Sequence, residues 1–293
     1  MSSRILLTGA SGFTGQHFMR LAQSRGHQVV SLQSDLGDEQ SIQRELANQA
    51  ITHVVHLAGI SSVDHAHESD FYKVNTVGTT ILLKALMRGQ PGLKSVLVAS
   101  SANVYGNCEQ SPIAETQPPA PVNHYAASKL AMEHMALAYA DRLPIFITRP
   151  FNYTGPGQST SFLIPKLVDH FARRAAVIEL GNLHVEREFN DVRMVCEAYL
   201  RLLEEGAAGQ IYNLCTGLTY SLHQVLGMLQ SLTGLDMEVR VNPAFVRTNE
   251  VHRLCGDPAK LIRTIGPLPD HPLSDCLSAM LQAHASPTPP TSW

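Results

Sequence analysis

Two side chains suited to proton transfer, Tyr125 and Lys129, lie four residues apart in a stretch whose pattern predicts a helix. Residues at positions i and i+4 share one face of a helix, so the phenol and the ammonium are expected to point the same way. A free tyrosine titrates near ~10, and a nearby positive charge lowers that pKa by favouring the phenolate. The pair therefore predicts a general acid or base, although the same spacing also occurs on helices without catalytic function.

A glycine-rich loop near the N-terminus predicts a site that could bind a dinucleotide. The apolar run 4–7 is followed by Gly9, Gly12 and Gly15, and a helical pattern comes next. A loop of this kind between a strand and a helix allows a tight turn, close approach of the backbone to a pyrophosphate, and helix-terminal N–H groups that point towards it. The alternative is a glycine-rich turn with no ligand.

A hydroxyl side chain, Ser101, follows the predicted strand 95–100. In a doubly wound sheet, ligands collect beyond the carboxyl ends of the strands, so this serine could hydrogen-bond a substrate oxygen. Serine is also common in turns at strand ends, which is the structural alternative. Together with the glycine loop and Tyr125, it describes one site.

The order of these motifs resembles that of an extended short-chain dehydrogenase/reductase, of the NAD-dependent epimerase/dehydratase family, acting on nucleotide sugars. The resemblance runs from about residue 4 to about residue 282. The motifs that carry it are the glycine loop Thr8–Gly15, His56-Leu57-Ala58-Gly59, Asn75-Thr76-Val77-Gly78-Thr79, Ser100-Ser101 with Val104-Tyr105-Gly106, Tyr125 with Lys129, and Arg149-Pro150-Phe151-Asn152.

The resemblance implies a role for each matching residue. Catalysis would fall to Ser101, Tyr125 and Lys129. The residues implied to bind the cofactor are Gly9, Gly12, Phe13, Thr14, Gly15, Asp35, Leu36, Leu57, Ala58, Gly59, Tyr125, Lys129 and Pro150. The residues implied to bind the substrate are Ser101, Asn103, Asn152, Leu163, Lys166, Arg187, Arg247 and Glu250.

Within the substrate group, the likeness is to enzymes of GDP-mannose derivatives, the 4,6-dehydratase and the 4-keto-6-deoxymannose reductase. It implies that Leu163 and Lys166 line the base, that Arg187 and Arg247 bind phosphates, and that Glu250 holds ribose hydroxyls. An arginine suits phosphate because its planar fork donates two hydrogen bonds at once. Each arginine taken alone could equally be a solvated surface residue.

The type of reaction is narrowed by Ala102 and Asn103. A dehydratase of this family would carry an acidic pair at these positions, and neither residue can exchange a proton as a carboxyl does. The resemblance therefore favours NAD(P)H-dependent reduction of the C4 ketone of a 4-keto-6-deoxyhexose, with GDP-4-dehydro-6-deoxy-mannose as the expected substrate. A nucleotide-sugar 4-epimerase with tightly bound NAD is the alternative, and a non-catalytic dinucleotide sensor is a third possibility. His124 replaces the small residue or proline usual before the tyrosine, which leaves the stereochemistry of the product open.

The choice between NAD and NADP also stays open. Dinucleotide folds often place an acidic residue ~20 residues after the glycine loop to hold the adenosine ribose. Here 30–34 contains neither a carboxylate nor an arginine, and Asp35-Leu36 follows, which resembles the family's segment beside the adenine. Because nothing in this segment repels a phosphate, the sequence slightly favours NADP.

Composition excludes several other classes of protein. The chain has 293 residues, of which 44% are apolar, and a formal net charge of −3, which argues for a globular fold and against nucleic-acid binding. The sequence has no apolar stretch of ~18 residues, so no membrane span is expected, and no signal peptide is expected either. Five cysteines without a Cys-x-x-Cys motif fit reduced thiols in a cytoplasmic protein. The histidines lack partners at metal-ligand spacing, so no metal is expected. A homodimer is expected.

Alternating strand and helix patterns predict an α/β fold with a doubly wound parallel Rossmann sheet and a smaller C-terminal α/β substrate-binding domain. The predicted strands lie near 4–8, 28–32, 53–57, 95–100, 145–149, 177–180 and 210–214. The predicted helices lie near 13–25, 39–48, 69–89, 123–141, 161–174, 192–205 and 221–233. The dinucleotide-binding domain is expected at 1–160, with 186–215 returning to it. The substrate domain is expected at 161–185 and 216–284, and 285–293 is expected to be a disordered tail.

Overall fold

The structure is a computed structural model that describes residues 3–61, 67–245 and 253–285. Its strands are β1 (Arg4–Thr8), β2 (Gln28–Ser31), β3 (His53–His56), β4 (Ser95–Ala99), β5 (Ile145–Pro150), β6 (Tyr153–Thr154), β7 (Val177–Leu180), β8 (Glu186–Glu188), β9 (Asn190–Asp191), β10 (Ile211–Leu214), β11 (Thr219–Ser221), β12 (Glu238–Val241) and β13 (Arg253–Leu254). Its α-helices are α1 (Phe13–Ser24), α2 (Glu39–Leu46), α3 (Glu68–Phe71), α4 (Thr79–Gly89), α5 (His124–Leu137), α6 (Leu163–Ala172), α7 (Val192–Glu205), α8 (Leu222–Thr233), α9 (Ala259–Ile265) and α10 (Leu273–Ala285).

Six parallel strands form the central sheet, in the order β10-β5-β4-β3-β1-β2. The chain leaves β1 towards β2 on one side and later returns to β3 on the other, so the strand order reverses at β1. In open α/β sheets a ligand binds at such a switch point, beyond the carboxyl ends of the strands. The predicted fold class, a doubly wound parallel sheet, is confirmed.

Helices cover both faces of this sheet because successive side chains of each strand point to opposite faces. Leu7 and Val55 pack with α1 and α7 on one face, and Leu6 and Val54 pack with α2, α4 and α5 on the other. All four side chains are fully buried. The double burial explains why the central strands read as continuous apolar runs.

A second core lies outside the central sheet. The helices α6, α8 and α10 and the strand pair β7–β12 share a hydrophobic cluster that includes Leu167, Val225 and Leu277. Beside it, β8 pairs with β11 and β13 in a three-stranded sheet. Of the predicted substrate residues, Arg187 lies on β8, and Leu163 and Lys166 lie on α6.

The structure contains eight elements that the sequence patterns did not predict, β6, β8, β9, β11, β12, β13, α9 and α10, and it differs from the predictions in three further respects. The helix expected at 69–89 consists of α3, a π-helix (Tyr72–Gly78) and α4. Ala285, expected to start a disordered tail, is the last residue of α10, and 286–293 lie outside the described residues. The helix α9, whose residues were expected in the substrate domain, packs on α7 and β10 through Leu261 and Ile265, so that boundary is wrong for α9. Within the described ranges, no helix is long and apolar enough to cross a membrane.

Candidate active site

Tyr125 and Ser101 meet at the carboxyl end of β4. Ser101 caps a 3-10 helix (Ala102–Tyr105), where its Oγ accepts a hydrogen bond from Asn103 N at 3.2 Å, and it hydrogen-bonds the Tyr125 phenol. Asn123 caps α5 through Ala126 N, which fixes the start of the helix that carries Tyr125. Only 8% of Tyr125 is exposed.

The expected lowering of the Tyr125 pKa is wrong in this structure. Burial raises the pKa of the phenol, and the hydrogen bond with Ser101 offsets this only in part. The cause is desolvation, which penalises the phenolate and which a spacing argument does not register. Tyr125 is therefore held as a neutral acid at neutral pH.

Lys129 lies one helical turn after Tyr125, as the spacing predicts, and is buried. Its Nζ donates to Ala99 O at 2.9 Å, and a Cβ added to Gly59 would lie 3.3 Å from this nitrogen. Burial lowers the pKa of the ammonium to about 8, against the opposing influence of Glu133. The amine thus faces the loop after β3, beside the switch point.

A buried ion pair connects α5 to β5. Arg149 on β5 donates to both carboxylate oxygens of Glu133, at 3.0 and 2.6 Å, and both side chains are at most 3% exposed. The guanidinium also lies 4.8 Å from the centroid of the Tyr105 ring, and the Tyr105 hydroxyl donates to Asn213 Oδ1 at 2.7 Å. This network joins α5 to β5 and β10 behind Lys129.

A fully buried asparagine, Asn75 of the π-helix, connects α5 to the loop after β3. Its Oδ1 accepts from Ile60 N at 2.9 Å, and its Nδ2 donates to Ser128 Oγ at 3.1 Å. Since Ser128 precedes Lys129, Asn75 fixes the distance between the catalytic helix and Gly59. The sequence placed Asn75 only in a motif and gave it no role.

The same loop is tied to β1 through a neutral histidine, His56. Thr79 Oγ1 donates to Asn75 O, so it must accept from His56 Nε2, which lies 2.8 Å away. Thr8 Oγ1 accepts from Ala58 N and donates to His56 Nδ1 at 2.7 Å. Burial lowers the pKa of His56 to about 3, with Lys129 as a lesser cause, so the ring acts as a fixed hydrogen-bonding group.

The glycine loop has the geometry that a dinucleotide needs. Gly9 has φ +69°, and a Cβ there would lie 2.8 Å from Ala58 N; a Cβ on Gly15 would lie 2.1 Å from Gly9 O. A Cβ on Gly12 would meet only Gly9 O, at 3.2 Å, and Gly12 is exposed. Gly12 caps α1 without a side-chain hydrogen bond, so N–H groups of the first turn face this open side. A pyrophosphate fits there.

Other predicted cofactor residues lie around this loop. Thr14 Oγ1 bonds Tyr153 OH at 2.8 Å, and the Phe13 ring stacks on Tyr153 with centroids 6.2 Å apart. Pro150 is buried at the end of β5. Asp35 Oδ1 accepts from Gly37 N, and a Cβ on Gly78 would lie 3.0 Å from Leu36 Cβ. Leu57, Ala58 and Gly59 follow β3 directly.

A carboxylate from another element lies beside the residues that follow β2, where the sequence predicted none. Glu45, on α2, accepts hydrogen bonds from Gln33 N at 2.8 Å, Ser34 N at 2.8 Å and Ser34 Oγ at 2.6 Å. A carboxylate from outside 30–34 thus lies beside this segment, which itself contains none, and the slight preference for NADP stays a prediction. Glu45 was missed because it comes from a different element, eleven residues after Ser34.

The predicted substrate residues are less tightly held. Leu163 begins α6 and is 38% exposed, and Lys166 Nζ lies 5.5 Å from the centroid of the Phe245 ring. On β8, Arg187 donates to Glu186 O at 2.8 Å. Asn152 is exposed between β5 and β6, where its carbonyl accepts from Asn190 N.

Three further residues, Asn103, Arg247 and Glu250, were predicted to bind the substrate. Asn103 lies in the 3-10 helix beside Ser101, so the two residues share the carboxyl end of β4. Arg247 and Glu250 lie outside the described residues. Their assignment to a phosphate and a ribose thus stays a prediction.

Comparison with known proteins gives consistent results. Residues 5–215 match the model of the NAD dependent epimerase/dehydratase family. The chain is 35% identical to GDP-6-deoxy-D-talose 4-dehydrogenase of Aggregatibacter actinomycetemcomitans, over 90% of this chain and 91% of that protein. It is also 35% identical to GDP-6-deoxy-D-mannose reductase of Pseudomonas aeruginosa, over 96% and 97%. The solved structure of RMD from Pseudomonas aeruginosa complexed with NADPH superposes with a TM-score of 0.91 at 33% identity, over 98% and 100% of the two chains.

Proposed function

The chain belongs to the NAD-dependent epimerase/dehydratase family of enzymes, and from this premise we propose that it reduces the C4 ketone of a nucleotide-linked 4-keto-6-deoxyhexose, with GDP-4-dehydro-6-deoxy-mannose as the preferred substrate. The observation that carries the proposal is the meeting of Ser101, Tyr125 and Lys129 beside the glycine loop, with Ala102 buried where a dehydratase needs an acid. Relatives named for GDP-6-deoxy sugars support the substrate class.

Each residue of the site has one task in this reaction. A bound reduced nicotinamide dinucleotide supplies a hydride to C4. Ser101 donates a hydrogen bond to the ketone oxygen and orients it, and Tyr125 transfers its phenolic proton to the same oxygen as negative charge develops there. The Lys129 ammonium stabilises the phenolate that Tyr125 becomes, and solvent then returns the proton.

The relatives favour reduction over epimerisation. Ser101, Tyr125 and Lys129 could serve either reaction, because a 4-epimerase needs a proton acceptor and a proton donor at the same carbon. The two relatives named for GDP-6-deoxy sugars support the reductase. The epimerase with tightly bound NAD is therefore the second candidate.

We also propose that α6, β8 and the segment 246–252 bind the nucleotide part, with Arg187 and Arg247 on the diphosphate and Glu250 on the ribose. Lys166 Nζ lies 5.5 Å from the centroid of the Phe245 ring, so a cation and an aromatic ring, two groups that can contact a base, lie next to each other at this end of the site. A homodimer and a cytoplasmic location stay predictions.

Turnover tests the proposal. The purified protein is incubated with NADH or NADPH and with GDP- and UDP-linked 4-keto-6-deoxyhexoses, and consumption of the reduced cofactor is followed. We expect turnover with the GDP sugar and stronger inhibition by free GDP than by free UDP. Conversion of a UDP-hexose without net cofactor consumption would establish the epimerase instead, and dinucleotide binding without any turnover would establish a sensor.

A further inference from the structure

Glu45 occupies a position that matters for the choice of cofactor. In dinucleotide folds the adenosine ribose lies near the carboxyl end of the second strand, where an acidic side chain accepts a hydrogen bond from its 2′-hydroxyl. Here β2 pairs in parallel with β1, and Leu32 N donates to Leu7 O at 3.0 Å, so the residues after β2 run beside the start of the glycine loop. Gln33 and Ser34, the next two residues, are the ones that Glu45 binds.

The carboxylate is firmly held and charged. Partial burial raises the pKa of Glu45, but hydrogen bonds from Ser34 and Gln33 outweigh this effect and lower it. Two donors, Ser34 N and Ser34 Oγ, reach Oε2, whereas among the described residues Oε1 accepts only from Gln33 N. A carboxylate oxygen has two acceptor positions, so Oε1 keeps one for a ligand hydroxyl.

From this geometry we propose that Glu45 is the residue that selects NAD(H) over NADP(H), by accepting a hydrogen bond from the adenosine 2′-hydroxyl and repelling a 2′-phosphate. This inference rests on the proposed binding of a dinucleotide at the glycine loop. The donors at this turn, Gln33 N, Ser34 N and Ser34 Oγ, bind Glu45 and so are not available to a 2′-phosphate. The segment 30–36 contains no Lys, Arg or His that could replace them.

Direct binding tests the proposal without any sugar substrate. The affinities of the whole protein for NADH and NADPH are measured by the fluorescence of the reduced nicotinamide. We expect the wild type to bind NADH more tightly, and Glu45→Gln to shift the ratio of the two affinities towards NADPH by about tenfold or more, because the substitution keeps the shape and removes the charge. The shift should be smaller at high salt, which screens the repulsion.

Two controls separate the charge from structural effects. Glu39→Gln removes a carboxylate from the same helix, where it pairs with Arg88, and should leave the ratio unchanged. Ser34→Ala keeps the Glu45 charge but removes one of its donors, so it should change the ratio less than Glu45→Gln does. Thermal unfolding of each variant shows whether it folds.

The outcomes distinguish this proposal from the proposed function. A wild type that binds NADPH more tightly, or a ratio that Glu45→Gln leaves unchanged, would overturn the role of Glu45 while leaving ketone reduction intact. A protein that binds neither dinucleotide would overturn both.

Discussion

The reacting end of the site and its substrate-recognition end are built in different ways. Tyr125 and Lys129 are almost fully buried, and both are held at the carboxyl end of β4, Lys129 by Ala99 and Tyr125 by Ser101. At the other end, Leu163 is exposed and Lys166 touches one aromatic ring. The groups that do chemistry are thus fixed by the core, whereas those assigned to recognition lie at its surface.

Because of this difference, substitutions in the two regions should change different measured quantities. Substitutions around the reacting groups should change cofactor binding, kcat or the free energy of unfolding, since these side chains are part of the core. Substitutions at the recognition end should change KM with little effect on stability. The following variants test the division.

The largest effect is expected at the glycine loop. Gly12→Val should abolish dinucleotide binding and leave the fold intact, because the new side chain meets only Gly9 O and projects into the open space of the loop. Gly15→Val is the contrasting variant, since its Cβ would lie 2.1 Å from Gly9 O and must disrupt the loop itself. Titration with NADH and thermal unfolding measure both. Unchanged affinity in Gly12→Val would exclude this loop as the pyrophosphate site.

Tyr125→Phe should lower kcat by ~10²–10⁴-fold, the usual contribution of a positioned acid, while cofactor affinity stays the same. Tyr139→Phe is a suitable control, because Tyr139 lies just after α5 and its ring, with Arg142 5.1 Å from the centroid, is retained. Steady-state kinetics with the GDP sugar give the comparison. A Tyr125→Phe variant with nearly full kcat would mean that another group supplies the proton.

Arg149→Met should lower the free energy of unfolding by about 3–5 kcal/mol, since it leaves the Glu133 carboxylate buried without its partner. Arg240→Met removes one member of a fully exposed pair with Glu238 and should have no measurable effect. Urea unfolding of both variants checks this. If both variants lost a similarly small free energy of unfolding, the Arg149–Glu133 pair would not be stabilising the core.

Arg187→Ala should raise the KM for the nucleotide sugar by about tenfold or more, as expected for a charge-assisted hydrogen bond to phosphate, and should lower kcat less. Arg173→Ala, which removes an exposed partner of Asp169 on α6, is the matched control. The recognition end would have to be reassigned if the two variants shared the wild-type KM.

The smallest effect is a pH dependence of stability that comes from Lys129. Its pKa of about 8 in the folded protein is lower than its value near ~10.4 in the unfolded chain, so the unfolded chain binds more protons between these values. The stability of the wild type relative to Lys129→Met should therefore rise with pH above about 8, by about 1 kcal/mol per pH unit. Denaturation at pH ~7, ~8 and ~9 measures the slope. A flat difference would mean that the amine is not desolvated.

Local patterns predicted the reacting end better than the rest. The strand β1, the glycine loop and α1 follow one another in the chain, and Tyr125 and Lys129 share one helix, so short-range spacing was enough. The strands β6, β8, β9, β11, β12 and β13 were missed because strands of two to four residues carry too little periodicity to detect. The position of Glu45 depends on how α2 packs against the end of β2, and the raised pKa of Tyr125 depends on burial. Neither can be read from spacing along the chain.

The central claim is that this protein delivers a hydride to C4 of a GDP-linked ketosugar while Tyr125 supplies the proton. The most direct test uses reduced cofactor that carries deuterium at its transferable position, with GDP-4-dehydro-6-deoxy-mannose as substrate and mass and NMR analysis of the product. We expect deuterium at C4 of the sugar in proportion to the cofactor oxidised, and almost none with Tyr125→Phe. A product without deuterium at C4, or cofactor oxidation that leaves the sugar unchanged, would contradict it.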